Sequence, residues 1–142
     1  MRPILTAVLL AACSVAPALA QAPAAADAPP AAAAAGDAEA GQRVFAQCRA
    51  CHTINDGGRN GVGPNLWNTY GRPAGAREGF RYSANLQELA RGGLTWDEAN
   101  LRRYLTNPKD LVPNGSMSFV GIRNPEQLTN LVAFLRTQRP AQ

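Results

Sequence analysis

Histidine occurs once in the 142 residues, at His52, and lysine once, at Lys109, while cysteine occurs three times and methionine only at Met1 and Met117. Each scarcity removes a class of chemistry. Beyond the first twenty residues there are only Cys48, Cys51 and His52, short of the four nitrogen or sulfur ligands that a closed zinc site needs. The segments around Cys48 carry no run of β-branched residues, so the strand-helix-strand unit of a thioredoxin-like redox disulfide is absent. The cations form no clustered basic motif, which, in a chain that opens on an export signal, argues against nucleic acid as a partner. The apolar run from Pro3 to Ala12 is too short to remain as a bilayer-spanning helix.

What is present is one concentrated stretch, Cys48-Arg49-Ala50-Cys51-His52, with the spacing C-x-x-C-H. On a helical turn the two thiols, three residues apart, and the imidazole, four on from Cys48, share one face. That pattern is the attachment site of a c-type haem: two thiols for the porphyrin vinyl groups and a neutral imidazole as proximal iron ligand. A second axial ligand cannot be histidine, because His52 has no companion. Met117 is the remaining soft donor, and it lies in the turn-rich stretch from Pro113 to Phe119 rather than in a helix where a methionine would serve as core filler.

In chain order, Met1 to Ala20 reads as a secretory signal, with Arg2, the short apolar run and the cleavage pattern Ala18-Leu19-Ala20. Leu10-Ala11-Ala12-Cys13 also resembles a lipoprotein signal, in which Cys13 is lipidated; the two fates exclude each other, and both export the chain. Residues 21–40 hold twelve alanines and three prolines with no aromatic or β-branched residue, a composition that builds no core and is expected to form a disordered linker or leader. The folded domain is expected over 41–139, its first helix capped by Asp37 and carrying Gly41, Val44, Phe45 and Cys48. Repeated Gly and Pro between Thr53 and Gly79 predict loops laid over something large. Ser83 to Arg91 predicts a short helix stopped by Gly92-Gly93. Thr95-Trp96-Asp97-Glu98 reads as a capping box opening a helix that Asn107-Pro108 ends. Asn124-Pro125 opens a last helix with Leu128, Leu131, Val132 and Leu135 on one face. No segment reads as a strand, so the expected fold is all-α, short helices around a cofactor that supplies much of the core.

With Gly41, Phe45, Cys48 to His52, Gly63-Pro64-Asn65-Leu66, Gly71-Arg72, Gly79 to Ser83, Thr95-Trp96, Tyr104 to Lys109, Met117 to Ile122 and Leu131 to Leu135 in this order, the chain resembles the class I c-type cytochromes, mitochondrial-type and related bacterial soluble electron carriers. The resemblance implies one covalent haem c with iron bound by His52 and Met117. It implies that the Pro64 carbonyl accepts from His52 Nδ1, that Arg72, Tyr82 and Trp96 hold the haem propionates, and that Tyr104 donates toward the Met117 sulfur. It implies a crossing of the first and last helices near Gly41 and Phe45, with Leu131 and Phe134 packed there. The slot for the haem is expected to be lined by Phe45, Leu66, Leu101, Tyr104, Leu105 and Phe119. Two departures stand out: Asn114-Gly115-Ser116 where relatives often carry Gly-Thr-Lys, which predicts a looser methionine loop, and a longer stretch from Tyr82 to Trp96, so that the family's polar residue beneath the haem either falls on Asn85 or is missing.

From Gly41 onward thirteen Lys and Arg stand against seven acidic residues, a balance of thirteen minus seven, or +6. That favours acidic docking surfaces. The implied role is a monomeric one-electron carrier in a periplasmic respiratory or photosynthetic chain. Its basic haem-edge face would meet membrane redox complexes or other periplasmic redox proteins, and the membrane would hold it only if Cys13 is lipidated. A peroxidase or ligand sensor with a labile sixth ligand, and a lipid-tethered electron-transfer module, remain as alternatives.

Overall fold

The computed structural model describes residues 36–140. The signal reading at 1–20, its Cys13 alternative and the linker reading up to Ala35 lie outside the described residues. Five helices follow in order: α1 (Ala38–Phe45), α2 (Ala84–Arg91), α3 (Glu98–Thr106), α4 (Pro108–Leu111) and α5 (Pro125–Thr137). Among the described residues the sheet content is one isolated bridge, Pro73 with Thr95. The fold is all-α.

Side-chain caps set the helix starts. Asp37 accepts from the backbone N–H groups of Glu39 and Ala40, so α1 opens inside the stretch read as linker. It ends at Phe45, and a 3-10 turn, Ala46–Cys48, carries the chain into the cysteine pair; Cys48 therefore sits just past α1 rather than on it. Ser83 caps α2 through Leu86 N–H, and Asn124 caps α5 through Glu126 and Gln127, with Pro125 in the first turn where its missing donor costs nothing. At α3 the capping residue is Asp97, which accepts from Asn100 N–H at 2.8 Å, and not Thr95. Thr95 is held in the bridge with Pro73, and its hydroxyl is 3.4 Å from Asp97 Oδ2. Asn107 ends α3 in an extended conformation and its side chain then caps α4 at Lys109 N–H, so the same residue stops one helix and starts the next.

α1 and α5 cross at a glycine. A Cβ on Gly41 would lie 1.9 Å from the Asn130 carbonyl oxygen and 2.7 Å from Phe134 Cβ, so only hydrogen permits this approach. Phe45 and Phe134 pack alongside with ring centroids 5.4 Å apart, and Leu131 and Val132 are fully buried beside them. Burying such side chains contributes roughly 1.5–3 kcal/mol each. Leu101, Leu105, Val112 and Ile122 extend this core toward the loop of residues 112–122.

Glu98 joins three parts of the chain outside that core. It accepts from Arg102 on α3 and Tyr70 in the long loop, pairs with Arg136 on α5, and the Arg136 guanidinium stacks over Tyr70 at 5.1 Å. The Arg102 hydrogen bond, more than the two guanidinium charges and Tyr70, holds the Glu98 carboxyl below its ordinary range against the opposing effect of burial. A carboxylate lowered in this way stabilises the fold above its unfolded value of about 4.3, and loses that contribution as pH falls through its folded value. Because Glu98 is a third exposed, solvent screening limits the effect to about 1 kcal/mol. Glu98→Gln should lower Tm by a few degrees at neutral pH, with the two melting curves merging in acid; a Tm gap constant across pH would show that charge is not the cause.

Candidate functional site

Residues 49–82 contain no helix, and their backbone is organised by the cysteine turn. The N–H groups of Cys51 and His52 both donate to the Cys48 carbonyl, at 3.1 and 2.9 Å, a single helical turn that brings both thiols and the imidazole together. Gly63 N–H then donates to the Cys51 carbonyl at 2.8 Å and lays Gly63-Pro64 along the ring of His52. A Cβ on Gly63 would lie 2.3 Å from His52 Cε1, so any larger residue displaces the imidazole. His52 Nδ1 donates to the Pro64 carbonyl at 2.7 Å. That bond places the proton on Nδ1 and leaves the lone pair of Nε2 for a metal. Burial lowers the His52 pKa, the Pro64 bond only partly opposing it, which keeps the ring neutral and able to ligate.

His52 lines a cleft of about 300 Å³, together with Cys48, Cys51, Pro64, Leu66, Arg72, Phe80, Tyr82, Leu86, Trp96, Leu101, Tyr104, Leu105, Met117 and Phe119. Every residue expected to hold the haem or its iron, Cys48, Cys51, His52, Pro64, Arg72, Tyr82, Trp96, Tyr104 and Met117, is in this one lining. Phe45, expected among the walls, is not; it is 1% exposed and turned into the α1–α5 crossing against Phe134. Its place on the last turn of α1 points it at α5 rather than at the cleft.

Met117 is half-buried, and Tyr104 OH is 3.5 Å from its sulfur, a reach that a weak thioether acceptor allows. Burial raises the Tyr104 pKa and keeps the hydroxyl protonated as a donor. Hydrogen bonds tie the methionine loop to α4 and α2. Lys109 Nζ donates to the Gly115 carbonyl at 2.6 Å, Gly115 N–H donates to the Val112 carbonyl at 2.9 Å, and Asn114 N–H donates to Asn85 Oδ1 at 3.1 Å. Asn85 therefore tethers this loop, while its neighbour Leu86 is the α2 side chain in the cleft.

At the other end, hydrogen bonds between Gly71 N–H and the Trp96 carbonyl, and between Trp96 N–H and the Arg72 carbonyl, at 2.9 and 2.8 Å, hold Arg72 beside Trp96. The Arg72 guanidinium reaches the Trp67 carbonyl and Thr69 Oγ1, both at 3.3 Å, but its buried Nε–H has no partner. A buried cationic donor without an acceptor is costly, and a carboxylate would satisfy it. Tyr82 accepts from Arg77 N–H at 3.3 Å, which leaves its own hydroxyl proton to donate. Burial pushes the Tyr82 phenol up, against the Arg77 N–H bond and the charges of Arg72 and Arg77. Arg77, whose guanidinium donates to the Gly58 carbonyl at 2.7 Å, was not legible as part of this end.

The two cysteines are free thiols, Cys51 exposed and Cys48 half-buried. Burial, aided by the neighbouring Cys51, pushes the Cys48 thiol up to about 11. Among the described residues no three His, Cys, Asp or Glu side chains cluster as a metal site of their own. The residues fit a porphyrin carrying its own iron: an apolar cleft, two thiols, a neutral imidazole, a thioether and a buried guanidinium Nε–H without a partner.

A helical fold with this site defines a c-type haem protein, and comparison with known proteins agrees. The Cytochrome c family model matches residues 38–139. The chain is 48% identical over 105 residues to a cytochrome c2 of Rhodomicrobium vannielii, covering 74% of this chain and 82% of that protein. It is also 48% identical over 102 residues to a cytochrome c2 of Rhodoblastus acidophilus, covering 71% and 92%. Among solved structures, cytochrome cH from Methylobacterium extorquens aligns with a TM-score of 0.65 at 42% identity over 72% of this chain and 99% of its own. Cytochrome c2 from Rhodospirillum centenum aligns at 0.70 and 29% identity over 74% and 100%. The chain belongs to the cytochrome c family. It binds one covalent haem c, and it is an electron carrier rather than an enzyme.

Proposed function

We propose that this chain is a soluble one-electron carrier of the periplasm, serving a respiratory or photosynthetic chain, with His52 and Met117 as its two axial ligands. The observation that carries the reading is the placement of His52, oriented by Pro64, and Met117, contacted by Tyr104, in the lining of one cleft. The haem, when bound, supplies a one-electron Fe(III)/Fe(II) couple. Cys48 and Cys51 fix it covalently, so the carrier keeps its cofactor through repeated encounters. His52 presents a neutral donor in a fixed tautomer. Met117 would offer the iron a soft thioether donor and so keep substrate and solvent from it. Arg72 and Tyr82 offer hydrogen-bond donors to the propionates, and Trp96, packed on Tyr104 with centroids 4.9 Å apart, closes that end of the cleft. In this reading residues 1–20 are an export signal removed after Ala20, the stretch from residue 21 to the Asp37 cap of α1 is a linker, and the haem domain runs from α1 to residue 139. Among the described residues no helix is long and apolar enough to cross a membrane.

The reduced protein is expected to bind no carbon monoxide and to show no peroxide turnover above that of a closed six-coordinate haem. Rapid carbon monoxide binding at neutral pH would favour the sensor or peroxidase reading. The +6 balance beyond Gly41 adds an expectation about partners. The second-order rate of electron transfer with an acidic redox partner should fall severalfold between low salt and about 0.15 M, where the Debye length shrinks to about 8 Å. Stopped-flow rates independent of ionic strength would mean that docking does not use this charge.

A further inference from the structure

Asn65 is 0% exposed, the most deeply buried polar side chain among the described residues, and all its bonds fall within the loop that supports His52. Its Nδ2 donates to Thr53 Oγ1 at 2.7 Å and to the Asn55 carbonyl at 3.1 Å, and its Oδ1 accepts from Trp67 N–H at 2.9 Å. Its own N–H donates to Asn60 Oδ1 at 2.9 Å. The amide orientation follows from chemistry, since Nδ2 faces a carbonyl that can only accept and Oδ1 faces an N–H that can only donate. The Thr53 hydroxyl gives its proton to the Arg59 carbonyl at 2.6 Å, leaving a lone pair for Nδ2.

The location gives this hub its meaning. Thr53 follows His52 directly and Asn65 follows Pro64 directly. The Thr53–Asn65 bond, together with Leu66 N–H donating to the Thr53 carbonyl at 2.8 Å, therefore runs beside the His52–Pro64 bond one residue along both strands of the loop. We infer that Asn65 is a positioning residue for the iron ligand: acting through Thr53, it holds the Pro64 carbonyl at hydrogen-bonding distance from His52 Nδ1 and so tunes the donor strength of the imidazole. Pro64 has no backbone N–H of its own to anchor it, so its carbonyl takes its direction from its neighbours. A firm bond at Nδ1 makes the imidazole a stronger donor and favours the ferric state; a slack one favours the ferrous state. The inference rests on His52 as an axial ligand.

The test uses the intact holoprotein in four forms: wild type, Asn65→Ala, Thr53→Val and Thr53→Ser. Two readouts are taken, the midpoint potential and the solvent exchange rate of the His52 Nδ1–H proton, followed by NMR in the reduced state. Asn65→Ala and Thr53→Val should both raise the exchange rate at least tenfold and raise the potential, while Thr53→Ser, which keeps the hydroxyl, should match wild type in both. Should Asn65→Ala fail to accumulate, the two threonine variants carry the same comparison. Val132→Ala, in the core of α5 away from the cleft, serves as the control: it should lower Tm without moving either readout. If wild type shows no ligand-shifted His52 resonance, the ligand assignment itself fails. If it does, but Asn65→Ala and Thr53→Val leave both readouts at wild-type values, or move them no more than Val132→Ala does, Asn65 is structural only and the inference is overturned.

Discussion

Met117→Ala should yield protein with haem still attached, a midpoint potential lowered by at least about 59 mV, and new binding of small ligands to the iron. Attachment depends on Cys48 and Cys51, which this change does not touch. The potential depends on what the sixth ligand prefers. A thioether is soft and uncharged and stabilises the ferrous state; water or hydroxide entering in its place is hard and stabilises the ferric state. A tenfold change in that preference corresponds to 59 mV for one electron, so the stated fall requires only a tenfold effect. Tyr104 loses its sulfur acceptor at 3.5 Å, and its buried hydroxyl then gains from any oxygen ligand that enters. The control Lys109→Ala, which cuts the tie to Gly115 while keeping the thioether, should leave most of the potential in place. Spectroelectrochemical titration measures both; an unchanged potential in Met117→Ala would remove Met117 from the iron.

Gly41→Ala should cost at least about 3 kcal/mol of stability, at the upper end of what overpacking a core exacts. Two effects oppose each other here. Alanine favours a helix over glycine by about 1 kcal/mol, which would raise Tm if Gly41 were on an open face. Against that, its methyl carbon would sit 1.9 Å from the Asn130 carbonyl oxygen and 2.7 Å from Phe134 Cβ, so α1 and α5 must separate. Separation also opens the Phe45–Phe134 contact and uncovers Leu131 and Val132. The steric effect wins because backbone, unlike a flexible side-chain tip, has nowhere to go. For a domain whose whole stability is about 5–15 kcal/mol, this should appear as a fall in Tm of ten degrees or more in thermal melts. A raised Tm would mean that the helices do not meet at Gly41.

The helix starts at Asp37, Ser83 and Asn124 were legible because caps leave local marks in the sequence, whereas the α1–α5 crossing at Gly41 was expected only from the resemblance. The start of α3 was misread by two residues. Both Thr95 and Asp97 are good caps, and what decides between them is the bridge from Thr95 to Pro73, a contact with a part of the chain over twenty residues away. α4 was hidden because Asn107-Pro108 reads as a stop; that it is also a start depends on the Asn107 side chain turning back onto Lys109 N–H. In the site, Cys48, Cys51 and His52 were legible because the C-x-x-C-H spacing carries distinctive chemistry, while Arg72, Tyr82 and Trp96 entered only through the resemblance. Phe45 was assigned to the wrong surface because an apolar face alone does not say whether it meets a helix or a cofactor. Asn85 and Asn65 are amides of ordinary appearance, and only the fold shows that one tethers the methionine loop and the other sits under the His52 loop.

X-ray absorption at the iron edge of the oxidised holoprotein reads directly whether His52 and Met117 share one iron. One sulfur scatterer is expected beside the nitrogen shell in wild type, lost in Met117→Ala with the nitrogen shell retained. A wild-type spectrum without sulfur, or one that Met117→Ala leaves unchanged, would contradict that pairing.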